Sequence, residues 1–329
     1  ETKISNGFTR NGHNVLNFSD RDMARARGFG SRRWGVGFAN RTLRELCAMH
    51  RPELLLIGHA DVIQNETLAQ IRRELPEMRV VQWNVDPLFE EGNVRRLQAR
   101  VELVDATLIS TAGEALRPFA RPGKPVGFLP NPVDFSVETG RSDLREALAF
   151  DLFYACGNPA RPPRLVFGVE WNMNDFTTEL ARLCPALRMM LPGIAGNPRI
   201  TGQSYQAALE QAAIGLNISR RPDYWLYSSD RIAHLTGNGL AVFTERGTGY
   251  ETLFSDGEMI FASSMAELAE WLNRLSAAPD ERQAIATAGR ARYHALFNEQ
   301  RVARYIEEVA FERLAAERYE WPTLLKDAA

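Results

Sequence analysis

Short apolar runs alternate with helical patterns along most of the chain. Residues 54–58 are continuously apolar and end in glycine, the mark of a strand buried on both faces. A helical pattern follows at 66–75, then an apolar run at 80–85, a helix at 93–103, and further runs at 106–110 and 126–129. Residues 14–18 also read as a strand, and residues 2–11 as a helix. A proline-braced exit, Leu129-Pro130-Asn131-Pro132-Val133-Asp134, leads into a polar stretch at 135–150 with only a short helical pattern. The alternation then resumes. Strands are predicted at 152–157, 187–191, 214–218, 240–243 and 259–261, separated by helices at 174–183, 203–212 and 227–236. Long helices close the chain at 265–276, 280–295 and 299–318.

This alternation predicts an α/β fold with doubly wound, Rossmann-like parallel sheets. The polar stretch divides it into a first domain at 1–134, a second at 135–312 and a tail at 313–329. A doubly wound sheet normally opens on a strand, whereas this pattern opens on a helix. The expectation is that a first strand with a Gly-rich loop precedes Glu1, or that a leading segment has been lost.

The 329 residues are 45% apolar and 24% charged, enough for two ordinary α/β domains. No apolar run of the length of a membrane span occurs, and the first residues lack a signal-peptide core. Cys47, Cys156 and Cys184 lie far apart and the histidines stand singly, so no metal site is predicted and a reduced, cytoplasmic setting is the simplest reading. Residues 1–134 carry 19 Lys/Arg against 16 Asp/Glu, and the remainder 20 against 25. That balance does not suggest a nucleic-acid binder. A mildly basic first half suits a phosphate-bearing acceptor or an anionic membrane surface.

Residues 214–261 hold the densest polar chemistry. Asn217, Ser219 and Arg220 follow one strand; Ser228, Ser229 and Arg231 open a helix; Gly247, Gly249 and Tyr250 follow the next strand. A helix start preceded by hydroxyls offers free amides to an anion. Arg231 adds a bidentate phosphate donor, and glycines let backbone amides approach a ligand. The bland alternatives are plain turns at Gly247 and Gly249 and a surface ion pair at Arg231. No P-loop and no dinucleotide fingerprint is present.

This stretch resembles the C-terminal half of GT-B glycosyltransferases of the "glycosyl transferases group 1" kind, most closely the CgeB-like branch. Arg231, Gly239, Leu253-Phe254, Asp256-Gly257-Glu258, Pro279, Arg282, Ile285-Ala286, Gly289 and Arg292 match its pattern in order. Trp83-Asn84-Val85-Asp86-Pro87, the Leu129–Asp134 exit, and Gly157-Asn158 followed by Arg161 and Arg164 resemble upstream family segments. The resemblance implies two Rossmann-like domains facing across a cleft and a nucleotide-sugar donor on the second. The donor set it implies is Gly157, Asn158, Arg161, Asn217, Arg220, Ser229, Arg231, His234, Gly247, Gly249 and Tyr250. No cofactor or divalent metal is implied, because arginines and helix dipoles would neutralise the leaving diphosphate. His234 stands where retaining relatives place a glutamate, which tilts the expectation toward inversion; the bland alternative is a packed helix histidine.

An inverting transfer needs a general base near the acceptor oxygen. The implied acceptor, a glycan or lipid-linked hydroxyl, would lie at the C-terminal ends of the first domain's strands. Asp61, Asp86 and His59 are the candidates there; capping by Asp61 and a turn fixed by Asp86 are the structural alternatives. The Arg21–Trp34 stretch, with five arginines beside Phe29 and Trp34, reads as a loop suited to peripheral membrane contact, or simply as solvated. The tail resembles a GT-B segment that crosses back to the first domain; Val302, Tyr305, Ile306, Val309 and Leu314 also suit ordinary packing. Rival readings are a GT-B nucleotide-sugar epimerase and a non-catalytic GT-B-like glycan- or partner-binding protein.

Overall fold

The computed structural model describes residues 2–27 and 32–325, and divides them into two compact units. The first comprises Glu1–Pro130 together with Glu299–Ala329, and the second Asn131–Asn298. The second unit therefore starts at Asn131 rather than at 135. The return to the first unit comes at Glu299, not 313.

The first unit opens with α1 (Thr2–Arg10), α2 (Asp20–Arg27) and α3 (Arg32–His50). Strands β1 (Leu54–Ile57), β2 (Arg79–Asn84), β3 (Ala106–Ile109) and β4 (Val126–Phe128) follow, with α4 (Asn65–Glu74) and α5 (Glu91–Gln98) between the first three. The four strands are parallel and stand side by side in chain order, with Leu55 opposite Val80 and Trp83 opposite Leu108. Leu43 and Cys47 of α3 join Ile57, Val80, Leu68 and Ile71 in one buried cluster.

In the second unit, β5 (Phe150–Phe153) is followed by a hairpin, β6 (Arg164–Val166) and β7 (Val169–Trp171), and then by α6 (Met173–Leu183). Next come β8 (Met189–Met190), α7 (Gln203–Leu209), β9 (Ala212–Asn217), α8 (Arg231–Gly237), β10 (Ala241–Glu245) and β11 (Ile260–Ala262). Two helices, α9 (Met265–Ala277) and α10 (Pro279–Phe297), complete it. The five sheet strands are parallel in the order β11-β10-β9-β5-β8, so the direction of winding reverses beside β5. Strand β9 is buried at all six positions, which explains its unbroken apolar run. Leu152, Ile214, Leu216 and Phe243 meet α6 and α9 on one face. Phe153 and Val242 meet α7 and α8 on the other.

The chain returns to the first unit through α11 (Glu299–Ala310). Val302, Tyr305, Ile306 and Val309 of α11 are buried at helical spacing. Beyond it Leu324 bridges Gly127 of β4, and Leu325 N–H donates to the Val126 carbonyl at 2.9 Å.

Several expectations need correction. Residues 14–18 form no strand: alternation alone cannot supply a ladder partner, and Leu16 lies exposed while Phe18 tucks under the first unit's core. The final helix stops at Ala310, followed by a left-handed Glu312 (φ 57°) and a short 3-10 turn at Ala316–Arg318. The Arg21–Trp34 stretch is largely helical in α2 and α3 rather than a loop. Its residues 28–31, Phe29 among them, lie outside the described residues.

His294 on α10 is 7% exposed, and neither ring nitrogen has a hydrogen-bond partner. Phe135 stacks on it, with ring centroids 3.8 Å apart. Burial, then the Arg290 guanidinium, pushes its pKa down to about 4. In the unfolded chain the same imidazole protonates near pH 6.5. This lowered folded-state value means that stability is flat above pH 6.5 and falls as the pH drops toward 4. The loss reaches about 3 kcal/mol from this residue. Urea titrations at pH 7.5 and 4.5 should show a larger acid loss for the wild type than for His294→Leu.

Candidate functional site

The winding reverses beside β5, with α6 and α8 packed on opposite faces of the sheet; open α/β sheets bind ligands at the strands' C-terminal ends at such a point. Tyr154, fully buried, follows β5. Arg231, the first residue of α8, lays its guanidinium 5.8 Å from the Tyr154 ring centroid and donates through Nη1 to the Ile218 carbonyl at 2.9 Å. Arg164 donates through Nη2 to Cys156 Sγ at 3.1 Å, while its Nε is buried without a partner. No carboxylate pairs with Arg164 or Arg231 among the described residues. The Ser229 hydroxyl, next to the start of α8, is likewise buried and unpartnered.

The β6–β7 hairpin holds Arg164 in place. Leu165 N–H donates to the Arg220 carbonyl after β9 (2.9 Å), and Phe167 N–H donates to Glu245 Oε1 at the end of β10 (3.0 Å). The hairpin thus lies across the ends of β5, β9 and β10. Burial pushes the Glu245 carboxyl up to about 7 against the opposing pull of that amide. Three-residue strands carry no readable period, so this cap leaves no pattern along the chain.

The anticipated donor residues divide into three groups. Gly157, Asn158 and Arg161 lie exposed in the loop after β5, at the winding reversal; Asn158 accepts from Arg199 at 3.1 Å. Arg220, Ser229 and Arg231 occupy the loop after β9 and the start of α8. The others have structural duties. Asn217 is buried and accepts from the Ser228 hydroxyl at 3.0 Å. Tyr250 is 2% exposed and donates to the Leu226 carbonyl, which makes it a core residue.

The amides of Gly247 and Gly249 already donate to the two carboxylate oxygens of Glu251, at 2.8 and 3.0 Å. A side chain of this protein therefore fills the anion nest expected to face a ligand. Gly249 is glycine for a packing reason as well: φ is 97°, and a Cβ there would come within 2.2 Å of the Trp225 indole. His234 Nδ1 lies 2.8 Å from Glu138 Oε1 and Nε2 lies 2.9 Å from Asp230 Oδ2, so a carboxylate stands beside each ring nitrogen, as in the packed helix histidine of the bland alternative. Helix α8 has only seven residues and follows Asp230, so its dipole adds little for an anion.

In the first unit, His59 and Asp86 come together at the ends of the neighbouring strands β1 and β2. Gly58 lets the chain turn beneath Trp83, whose ring a Cβ would approach to 2.8 Å. His59 Nδ1 lies 2.6 Å from Asp86 Oδ2, and both side chains are 41% exposed. Buried Asn84 and Asn93 donate to the Asp86 carbonyl at 2.7 and 3.1 Å and hold it still. Arg96 of α5 donates to His59 Nε2 at 2.9 Å and to Asp86 Oδ2 at 3.2 Å. A guanidinium only donates, so Nε2 accepts and Nδ1 carries the proton toward Asp86. Asp61 does not join this pair; Arg21 of α2 binds it at 2.9 Å. Among the described residues no group of three His, Cys, Asp or Glu could hold a metal ion. No helix among them is long and apolar enough to cross a membrane.

Residues 155–308 match the glycosyl transferase-like family. No curated protein shows significant sequence similarity to the chain. Among solved structures, sucrose-phosphate synthase from Thermosynechococcus elongatus superimposes with a TM-score of 0.56 at 13% identity, covering 86% of this chain and 79% of that one. Anabaena HepE, in complex with UDP and glucose, gives 0.51 at 14% identity over 83% and 81%. The UDP-forming α,α-trehalose-phosphate synthase of Burkholderia xenovorans gives 0.50 at 14% identity over 95% and 87%. The stretch 155–308 is thus similar to the glycosyl transferase-like family, and the chain has the GT-B fold of two Rossmann-like units.

Proposed function

We propose that the protein is an inverting glycosyltransferase that moves a sugar from a nucleotide-activated donor to an acceptor hydroxyl. One observation carries the reading: two partly buried guanidinia, Arg164 and Arg231, stand at the winding reversal of the second unit without a carboxylate partner. Withdrawing such a charge from water is costly unless an anion answers it. A donor diphosphate is that anion, with Ser229 and the exposed Arg161 beside it. HepE was solved with UDP and with UDP-glucose, which makes UDP the first nucleotide to test. The spaced matches from Arg231 to Arg292 support a likeness to the CgeB-like branch.

His59, oriented by Asp86, serves as the base. Its Nε2 takes the acceptor hydroxyl proton as the acceptor oxygen bonds to the anomeric carbon. The bond from that carbon to the diphosphate oxygen breaks, and the electron pair leaves with the diphosphate. Arg164 and Arg231 receive the developing charge, so the reaction asks for no resident cofactor. A direct displacement of this kind inverts the anomeric centre. Glycan and lipid-linked hydroxyls both remain within the acceptor class. Trp34, 80% exposed on α3, and Arg27 and Arg41 flanking Phe38 at 5.3 and 5.8 Å would suit peripheral membrane contact.

Arg231→Ala and Arg164→Ala should each weaken UDP binding about tenfold or more by calorimetry, the loss of one charge-assisted contact. Unchanged UDP affinity in both variants would sink the reading. His59→Asn should keep the UDP affinity and lower kcat by about 10²–10⁴-fold. An unaltered kcat would remove His59 from the mechanism.

A further inference from the structure

Both nitrogens of the proposed base are occupied. Asp86 accepts from Nδ1, and Arg96 covers the Nε2 lone pair that must take the proton. Arg96 is firmly seated: its Nη2 reaches Asn93 Oδ1, Asp86 Oδ2 and Asn84 Oδ1. Only Nη1 points at the imidazole. The other charges nearby are Arg21, bound to Asp61 and within electrostatic reach of Asp86, and Arg100, whose Nη2 is tied to the carbonyls of Ala60 and Ile63.

We propose that Arg96 gates His59, and that the acceptor carries an oxyanion, a phosphate or a carboxylate, which draws Nη1 off Nε2 and so frees the base. The inference rests on His59 acting as that base. The guanidinium is charged in either case, but a neutral imidazole offers it only a lone pair, whereas an oxyanion adds a full opposite charge and room for a bidentate pair, which is the stronger interaction. An anionic acceptor therefore wins Nη1, and Arg96 keeps its seat through Nη2. A neutral sugar offers no such exchange, and the lone pair stays covered. Substrate selection and base activation become one event, because the interaction that binds the acceptor also uncovers the catalytic atom.

The test reads the gate without turnover. In the whole chain labelled with ¹⁵N-histidine, with the His59 signals assigned from His59→Asn, inorganic phosphate and acetate are titrated separately. At least one anion should move the His59 Nε2 signal saturably while the other histidines stay still. Arg96→Gln should weaken that response about tenfold or more, and Arg96→Lys, which keeps the charge, should retain part of it. A response to one anion alone names the oxyanion. In transfer assays Arg96→Gln should raise KM for an anionic acceptor and speed turnover of a neutral one. The proposal is overturned if neither anion moves the His59 signal, or if Arg96→Gln responds as the wild type does. It also fails if the wild type turns over neutral acceptors as readily as charged ones. An intact anion response with an unaltered kcat in His59→Asn would instead remove the base and leave the anion site standing.

Discussion

Positive charge held out of water without a partner is the constraint on which this account turns. Most arginines here have a carboxylate close by, as Arg72 does in Asp105 and Arg188 in Asp151. Arg164 and Arg231 do not. Each is instead fixed by neutral groups, a thiol and a strand-end carbonyl, on opposite strand loops around buried Tyr154. Such an arrangement gives away folding free energy, which an anionic ligand returns on binding. The sheet places both where the winding reverses, the position at which open α/β sheets bind ligands.

The first unit shows the complementary logic. His59, Asp86 and Arg96 form a closed set in which both imidazole nitrogens and Asp86 Oδ2 are engaged. The two buried asparagines beneath it explain how a pair 41% exposed keeps its geometry. The second unit holds arginines without a carboxylate partner, whereas Arg96 of the first unit is engaged by Asp86, Asn84, Asn93 and His59.

Much of the fold was legible because buried parallel strands are written as apolar runs; β1, β2, β3 and β9 all fall where the pattern placed them. Residues 14–18 misled because a strand pattern says nothing about a neighbour to pair with. The β6–β7 hairpin was invisible because its hold on the site comes from Arg220 and Glu245, far along the chain. The motif spacing singles out Arg231 and, through the family pattern, Arg164, and the structure brings both to the winding reversal of the second unit. Gly247 and Gly249 were misread because Glu251, almost adjacent, competes for their amides. The closeness of Glu138 to His234 comes from a distant turn and leaves no mark in the local pattern. His59 and Asp86 were each nameable as strand-end polar residues, but their union depends on β1 and β2 being neighbours, and nothing in the pattern singled out Arg96.

The decisive measurement is a crystal structure of the chain grown with UDP. Diphosphate oxygens should lie within hydrogen-bonding distance of both the Arg164 and Arg231 guanidinia, with Glu251 still on the amides of Gly247 and Gly249. A diphosphate seated in the Gly247–Gly249 turn with Glu251 displaced, and the two arginines untouched, would contradict the assignment of the diphosphate to Arg164 and Arg231.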